Sequence, residues 1–244
     1  MPDHRLPAEF STANSTQPNA PLEDLLKRCD INPSSLETLA LVNLSGKMFT
    51  FPKETNTAQV SLMTSRETFT AITVCLRFFT DLRRNHILFS LATPTKGDAF
   101  VLFKRTAAGE LEQRSKHGVA IFDGQDYTLN TWHSICATWA SETGLGQLWL
   151  DGKPSTRKFL QSEAIKGKTI ILGQELFKFG RFFARQQSFV GMLTDVHMWD
   201  NLRSPYEIQR YTNQTNFTPG NVLSWRALNY QTSGQVLLEN KQSN

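Results

Sequence analysis

The chain has 244 residues, 39% of them hydrophobic and 20% charged, enough apolar material for a core and too much for wholesale disorder. No apolar run approaches the ~20 residues that cross a bilayer as a helix, so no transmembrane segment is predicted. The net charge is +4, but Lys and Arg are scattered without a stripe or cluster, which argues against nucleic acid as the partner.

Residues 1–44 read as a flexible N-terminal extension, because Pro2, Pro7, Pro18, Pro21 and Pro33 interrupt a Ser/Thr/Asn-rich stretch. The start, Met1-Pro-Asp-His-Arg-Leu-Pro7, has no apolar segment behind it and does not read as a signal peptide. From residue 45 to 244 the pattern is that of one domain, built from short apolar runs at strand length. They are Ala71–Phe79, His86–Ala92, Phe100–Phe103, Ser134–Trp139, Gln147–Leu150, Thr169–Leu172 and Phe189–Trp199, closed by Leu223–Trp225 and Gln235–Leu238. Val, Ile, Thr, Phe and Trp dominate the runs, and Gly, Pro, Asn or Asp separate them. Asp151-Gly152 predicts a tight hairpin, since both residues tolerate the positive φ of a type I′ turn. Ser204-Pro205-Tyr206-Glu207 supplies an N-cap serine, a proline at the first helical position and a capping-box glutamate. One helix is therefore expected near 204–211, with Ile208 and Tyr211 on its buried face. Many short strands without alternating helices predict an all-β fold, a two-sheet antiparallel sandwich.

Cys75 and Cys136 both fall mid-strand, 61 positions apart. That spacing fits a bridge and two buried thiols equally well. Cys29 sits in the N-terminal extension without an evident partner. His4, His86, His117, His133 and His197 are dispersed, with none paired at metal spacing. No nucleophile elbow, phosphate loop or dinucleotide fingerprint occurs. Glu110-Leu-Glu112 could place two carboxylates on one strand face, yet nothing around it supports glycosidase chemistry. An enzyme is not expected.

The segment Ser134-Ile-Cys136-Ala-Thr138-Trp139-Ala-Ser141 resembles the pentraxin signature His-x-Cys-x-Ser/Thr-Trp-x-Ser/Thr, with Ser134 in place of the histidine and His133 one position earlier. The similarity continues through Phe49–Lys53, Trp149–Pro154, Ile170–Glu175, Val196–Asp200, Ser204-Pro205 and Asn221–Ala227, covering roughly residues 45–240. It is strongest to the short pentraxins of fish, the group of C-reactive protein and serum amyloid P component. The resemblance implies a jelly-roll sandwich of the concanavalin or laminin-G type, a Cys75–Cys136 bridge, secretion and a ring-shaped homo-oligomer, usually a pentamer.

Members of this family hold two calcium ions on one face of the subunit, and the ions hold phosphocholine, phosphoethanolamine or acidic sugars. By resemblance, Glu175 keeps the bridging carboxylate, Gln187 the amide oxygen, Leu176 a backbone carbonyl, and Asp98 a donor on the preceding loop. Two further family carboxylate positions have become Phe177 and Ala184, while Lys178, Arg181 and Arg185 have entered the loop. Calcium takes six to eight oxygens and binds more tightly as carboxylates are added, so calcium binding is expected to be weak or absent. Phe103 resembles the apolar wall for choline methyls, but the acid that faces the ammonium falls near Gly118. The loop aromatics Phe177, Phe179, Phe182 and Phe183 alternate with the new cations; core packing is the plain explanation, an anionic-surface contact the sharper one.

The expected function is multivalent recognition of phosphocholine-, phosphoethanolamine- or polysaccharide-bearing surfaces in innate immunity, with complement components as further partners by resemblance. The second reading is a calcium-independent domain kept for protein–protein or anionic-surface contact. Asn14, Asn43, Asn213 and Asn216 each open an Asn-x-Ser/Thr triplet, which counts as a glycosylation acceptor in a secreted chain.

Overall fold

The computed structural model describes residues 41–93, 97–175 and 184–242. In chain order the strands begin with β1 (Lys47–Phe51), β2 (Gln59–Met63), β3 (Thr68–Phe69), β4 (Ala71–Phe79), β5 (His86–Thr93) and β6 (Gly97–Lys104). They continue with β7 (Leu111–Ser115), β8 (Val119–Phe122), β9 (His133–Ala140), β10 (Leu145–Leu150), β11 (Lys153–Pro154) and β12 (Lys158–Phe159). After β13 (Ile165–Lys166), β14 (Thr169–Leu172) and β15 (Gly191–Trp199) comes the helix α1 (Pro205–Thr212), followed by β16 (Tyr230–Ser233) and β17 (Leu237–Asn240).

All but two of these strands form two antiparallel sheets in a jelly-roll sandwich, and β3 pairs with β13 in a separate two-stranded ribbon. The first runs β11-β10-β9-β4-β15-β1-β17, with β12 also against β10; the second runs β16-β2-β14-β5-β6-β7-β8. Between them lies one core in which Phe49, Val74, Leu76, Phe78, Phe89, Leu91, Phe100, Leu102, Trp139 and Leu193 are buried. Strand alternation decides which residues enter it. In β4, Ile72, Val74, Leu76 and Phe78 point inward, whereas Thr73, Cys75 and Arg77 point to the opposite face.

That opposite face is also covered, so β4 and β9 are buried almost without a break rather than at alternate residues. The helix α1 lies there, and Ile208 and Tyr211 pack on Cys75, Cys136, Trp149 and Trp199 in a second cluster. Cys75 and Cys136 stand directly opposite each other in the β4–β9 ladder and are disulfide-bonded beneath the helix. Ser204 Oγ accepts the Glu207 N–H at 3.2 Å, the cap that the sequence predicts.

The segment Leu223–Trp225, expected as a strand, forms only isolated bridges, Met198↔Leu223 and Ser224↔Ala227. Its apolar residues are buried against the core without entering a ladder. At the near end of the chain, Val42 exchanges both backbone hydrogen bonds with Leu228, and Leu44 is buried with its N–H on the Trp225 carbonyl. Lys241 N–H in turn reaches the Gly46 carbonyl at 2.7 Å. The folded unit therefore includes residues 41–44, which the composition grouped with the N-terminal extension.

Candidate cation and ligand site

The outward face of the second sheet carries a small apolar cluster of Ile87, Val101 and Phe103. Beside it β7 contributes Glu112 and Arg114, two residues apart and hence on one face, while Leu111 and Gln113 turn inward. Glu112 sits directly across from Phe103, and Arg114 across from Val101. A third element reaches the same place. Just after β14, Gln174 is fully buried and its amide donates to the Thr55 and Ala58 carbonyls at 2.7 and 3.1 Å, which fixes the chain so that Glu175 enters the cluster.

Arg114 is the hub. Its Nη1 donates to Glu175 Oε1 at 2.5 Å and its Nε to Glu112 Oε1 at 2.5 Å. Its guanidinium lies 4.7 Å from the centre of the Phe103 ring, an arrangement that favours a cation over an aromatic face. Arg105 holds the other side of Glu112 at 2.8 Å and also pairs with Glu110 at 3.0 Å. Glu110 and Glu112 are thus tied up in ion pairs with arginines rather than set across a cleft.

Asp98, at the start of β6, accepts the Ser90 hydroxyl at 2.7 Å and lies within hydrogen-bond reach of the Glu175 carboxyl. Burial and the Asp98 carboxylate together raise Glu175 to about 8, and the Arg114 charge opposes them. Glu175 Oε2 has no hydrogen bond among the described residues. Gln187 lies on a short 3-10 turn, Arg185–Gln187, and its buried Oε1 is likewise unpartnered. The turn is pinned from two sides, since Arg84 donates to the Gln186 and Ser188 carbonyls at 2.8 Å and Phe189 N–H to the Gly173 carbonyl at 2.9 Å. Arg185 pairs with Glu54 at 3.2 Å.

The structure therefore brings Glu175 and Asp98 together and buries Phe103 under a guanidinium. Leu176 and the loop residues 177–183 lie outside the described residues, as do Asn14 and Cys29. Gly118 cannot be exchanged for an acid at no cost, because a Cβ there would collide with the Leu160 backbone. Asn43, Asn213 and Asn216 are exposed. Sequence reasoning missed Arg114 and raised Glu112 only as half of a carboxylate pair with Glu110; nothing local ties Arg114 to a glutamate 61 residues away.

Calcium asks for six to eight oxygens with several carboxylates among them. Among the described residues no group of three or more His, Cys, Asp or Glu side chains could hold a metal ion. Glu175 Oε1 is already bonded to Arg114. Among the described residues, this donor set falls short of what the ion asks for.

The family model described as the Pentaxin family matches residues 47–240. The chain belongs to the pentraxin family. This pentraxin is 42% identical over 205 residues to C-reactive protein of Sus scrofa, covering 82% of this chain and 90% of the relative. It is 36% identical over 208 residues to serum amyloid P-component of Cavia porcellus, covering 84% and 92%. The solved heptameric SAP-like pentraxin of Limulus polyphemus superposes with a TM-score of 0.73 at 21% identity, over 81% of this chain and 96% of that one, which shows the shared fold. Pentraxins such as these are non-enzymatic recognition proteins of innate immunity, and this pentraxin is a recognition protein of the same kind. Its homologues bind calcium, are secreted and are oligomeric. Among its own described residues, no helix is long and apolar enough to cross a membrane.

Proposed function

We propose that this pentraxin is a secreted pattern-recognition protein that grips phosphocholine-, phosphoethanolamine- or polysaccharide-bearing surfaces multivalently, as a ring-shaped homo-oligomer, usually a pentamer in the family, with little or no dependence on calcium. Complement components are its downstream partners on the same family reasoning. The observation that carries the calcium clause is the Arg114–Glu175 pair, which sets a fixed positive charge on the carboxylate a metal would need. Recognition without the ion is compatible with weak single sites. A ring that presents several of them to one surface gains avidity by orders of magnitude through effective concentration alone. On the secretory route, the exposed Asn43, Asn213 and Asn216 become glycosylation acceptors, Asn213 at the C-terminal end of α1.

Co-sedimentation with vesicles carrying phosphocholine or phosphoethanolamine headgroups, and retention on an immobilised acidic polysaccharide, test this. Each is run in calcium and in EDTA. Retention on at least one surface, changed less than about twofold by EDTA, is expected. Full release by EDTA would overturn the calcium clause; no retention on any surface would overturn the recognition reading in favour of a domain kept for protein–protein contact.

A further inference from the structure

We infer that Arg114 is a built-in replacement for a divalent cation: its guanidinium occupies the charge-compensating position between Glu175 and Glu112 and thereby excludes metal from this face. The contacts are those a cation would make. Two carboxylates, from β7 and from the loop after β14, converge on one positive group at 2.5 Å each, and a third, Asp98, adds its field to theirs. The guanidinium is planar and forked, so it serves both carboxylates at once while its face rests on Phe103. Glu175 is 3% exposed and Glu112 4% exposed at their side chains, so neither could remain charged here without a partner. Arg105, on the far side of Glu112, adds a second positive charge, which it shares with Glu110.

Being covalently attached, this cation needs no recruitment from solvent and does not leave when chelators are added. A metal ion would have to displace it from the Glu175 carboxylate and then sit beside a fixed positive charge. Among the described residues Glu175 Oε2 is left without a hydrogen bond, an oxygen that a metal could use once the guanidinium is gone. Removing it also frees Glu175 Oε1 and Glu112 Oε1.

The inference deepens the calcium-independent reading above and is tested apart from surface recognition. The whole protein and its Arg114→Gln and Arg114→Lys variants are titrated with calcium by calorimetry and with terbium by sensitised luminescence. Thermal unfolding without metal checks that each variant is folded. The unaltered protein and Arg114→Lys are expected to stay silent through millimolar calcium. Arg114→Gln is expected to bind at least about tenfold more tightly, since one unit charge has been removed from beside the ion. Adding Glu175→Gln to that variant should abolish the gain. Calcium binding below millimolar by the unaltered protein would overturn the inference. So would a folded Arg114→Gln variant no better than the parent, or equal gains from Gln and Lys. If Arg114→Gln does not fold, Arg114→Ser carries the same expectation. Vesicle retention that persists in EDTA while Arg114→Gln gains nothing would sink this inference and leave the proposed function standing.

Discussion

Replacing His197 by Gln should change how stability responds to acid. The ring is buried, stacked 5.8 Å from Trp199, with Phe217 at 5.0 Å and Tyr211 at 6.1 Å around it. Its Nδ1 accepts the Gly220 N–H at 3.2 Å, so the neutral ring carries its proton on Nε2. A second proton would have to displace that hydrogen bond and charge an aromatic pocket. Burial accordingly lowers the group from 6.5 to about 4; the Asp195 carboxylate opposes the shift and Arg226 adds to it. The unfolded chain takes up a proton as pH falls through 6.5 while the folded chain does not, so this ring's contribution is complete above that value and is lost on the way down to 4. The loss is about 2 kcal/mol by pH 5 and about 3 kcal/mol in full. His86, also lowered to about 4 by burial, titrates in the same direction. The informative quantity is therefore the difference between parent and His197→Gln, a variant that retains an acceptor for Gly220. Urea unfolding followed by tryptophan fluorescence at pH 7 and pH 5 gives it directly. The stability gap between the two should shrink or reverse by about 2 kcal/mol over that interval. Parallel pH profiles would refute the buried, neutral assignment.

Two other outcomes follow from the same face of the first sheet. Converting both Cys75 and Cys136 to Ala releases a 61-residue loop and should cost about 4 kcal/mol on the chain-entropy account, read as a lowered urea midpoint; a change under about 1 kcal/mol would contradict it. Ser204→Ala removes the acceptor for the Glu207 N–H and should cost about 1 kcal/mol, whereas Ser204→Asp should preserve stability.

Where local chemistry decides the structure, the sequence was readable. The run Ala71–Phe79 is β4 to the residue, and Asp151 and Gly152 take φ of 49° and 78° in the turn that pairs Leu150 with Lys153. The cap, the proline and the buried pair Ile208 and Tyr211 of α1 all lie where the capping box puts them. Among the strands that sequence reasoning passed over are some with polar outward faces. β7, Leu-Glu-Gln-Arg-Ser, has one aliphatic residue, and its ladder is specified by the neighbours β6 and β8. Leu223–Trp225 erred in the opposite sense, because burial against the core produces the same apolar signature as a strand. At the candidate site the ligand-type residues Glu175 and Asp98 were legible one by one. Their common partner was not, since the bond from Arg114 to Glu175 arises only when the β7 and β14 strands are brought into one sheet.

The backbone link from Lys241 to Gly46, together with the Val42–Leu228 pair, closes the domain's two ends on each other. Wherever a chain's ends meet, its order of synthesis is separable from its topology: a short Gly/Ser linker spanning that clasp costs little closure entropy. New termini could then be opened in the exposed Asp123-Gly124 loop between β8 and β9, giving a circular permutant in which every strand pairing is retained.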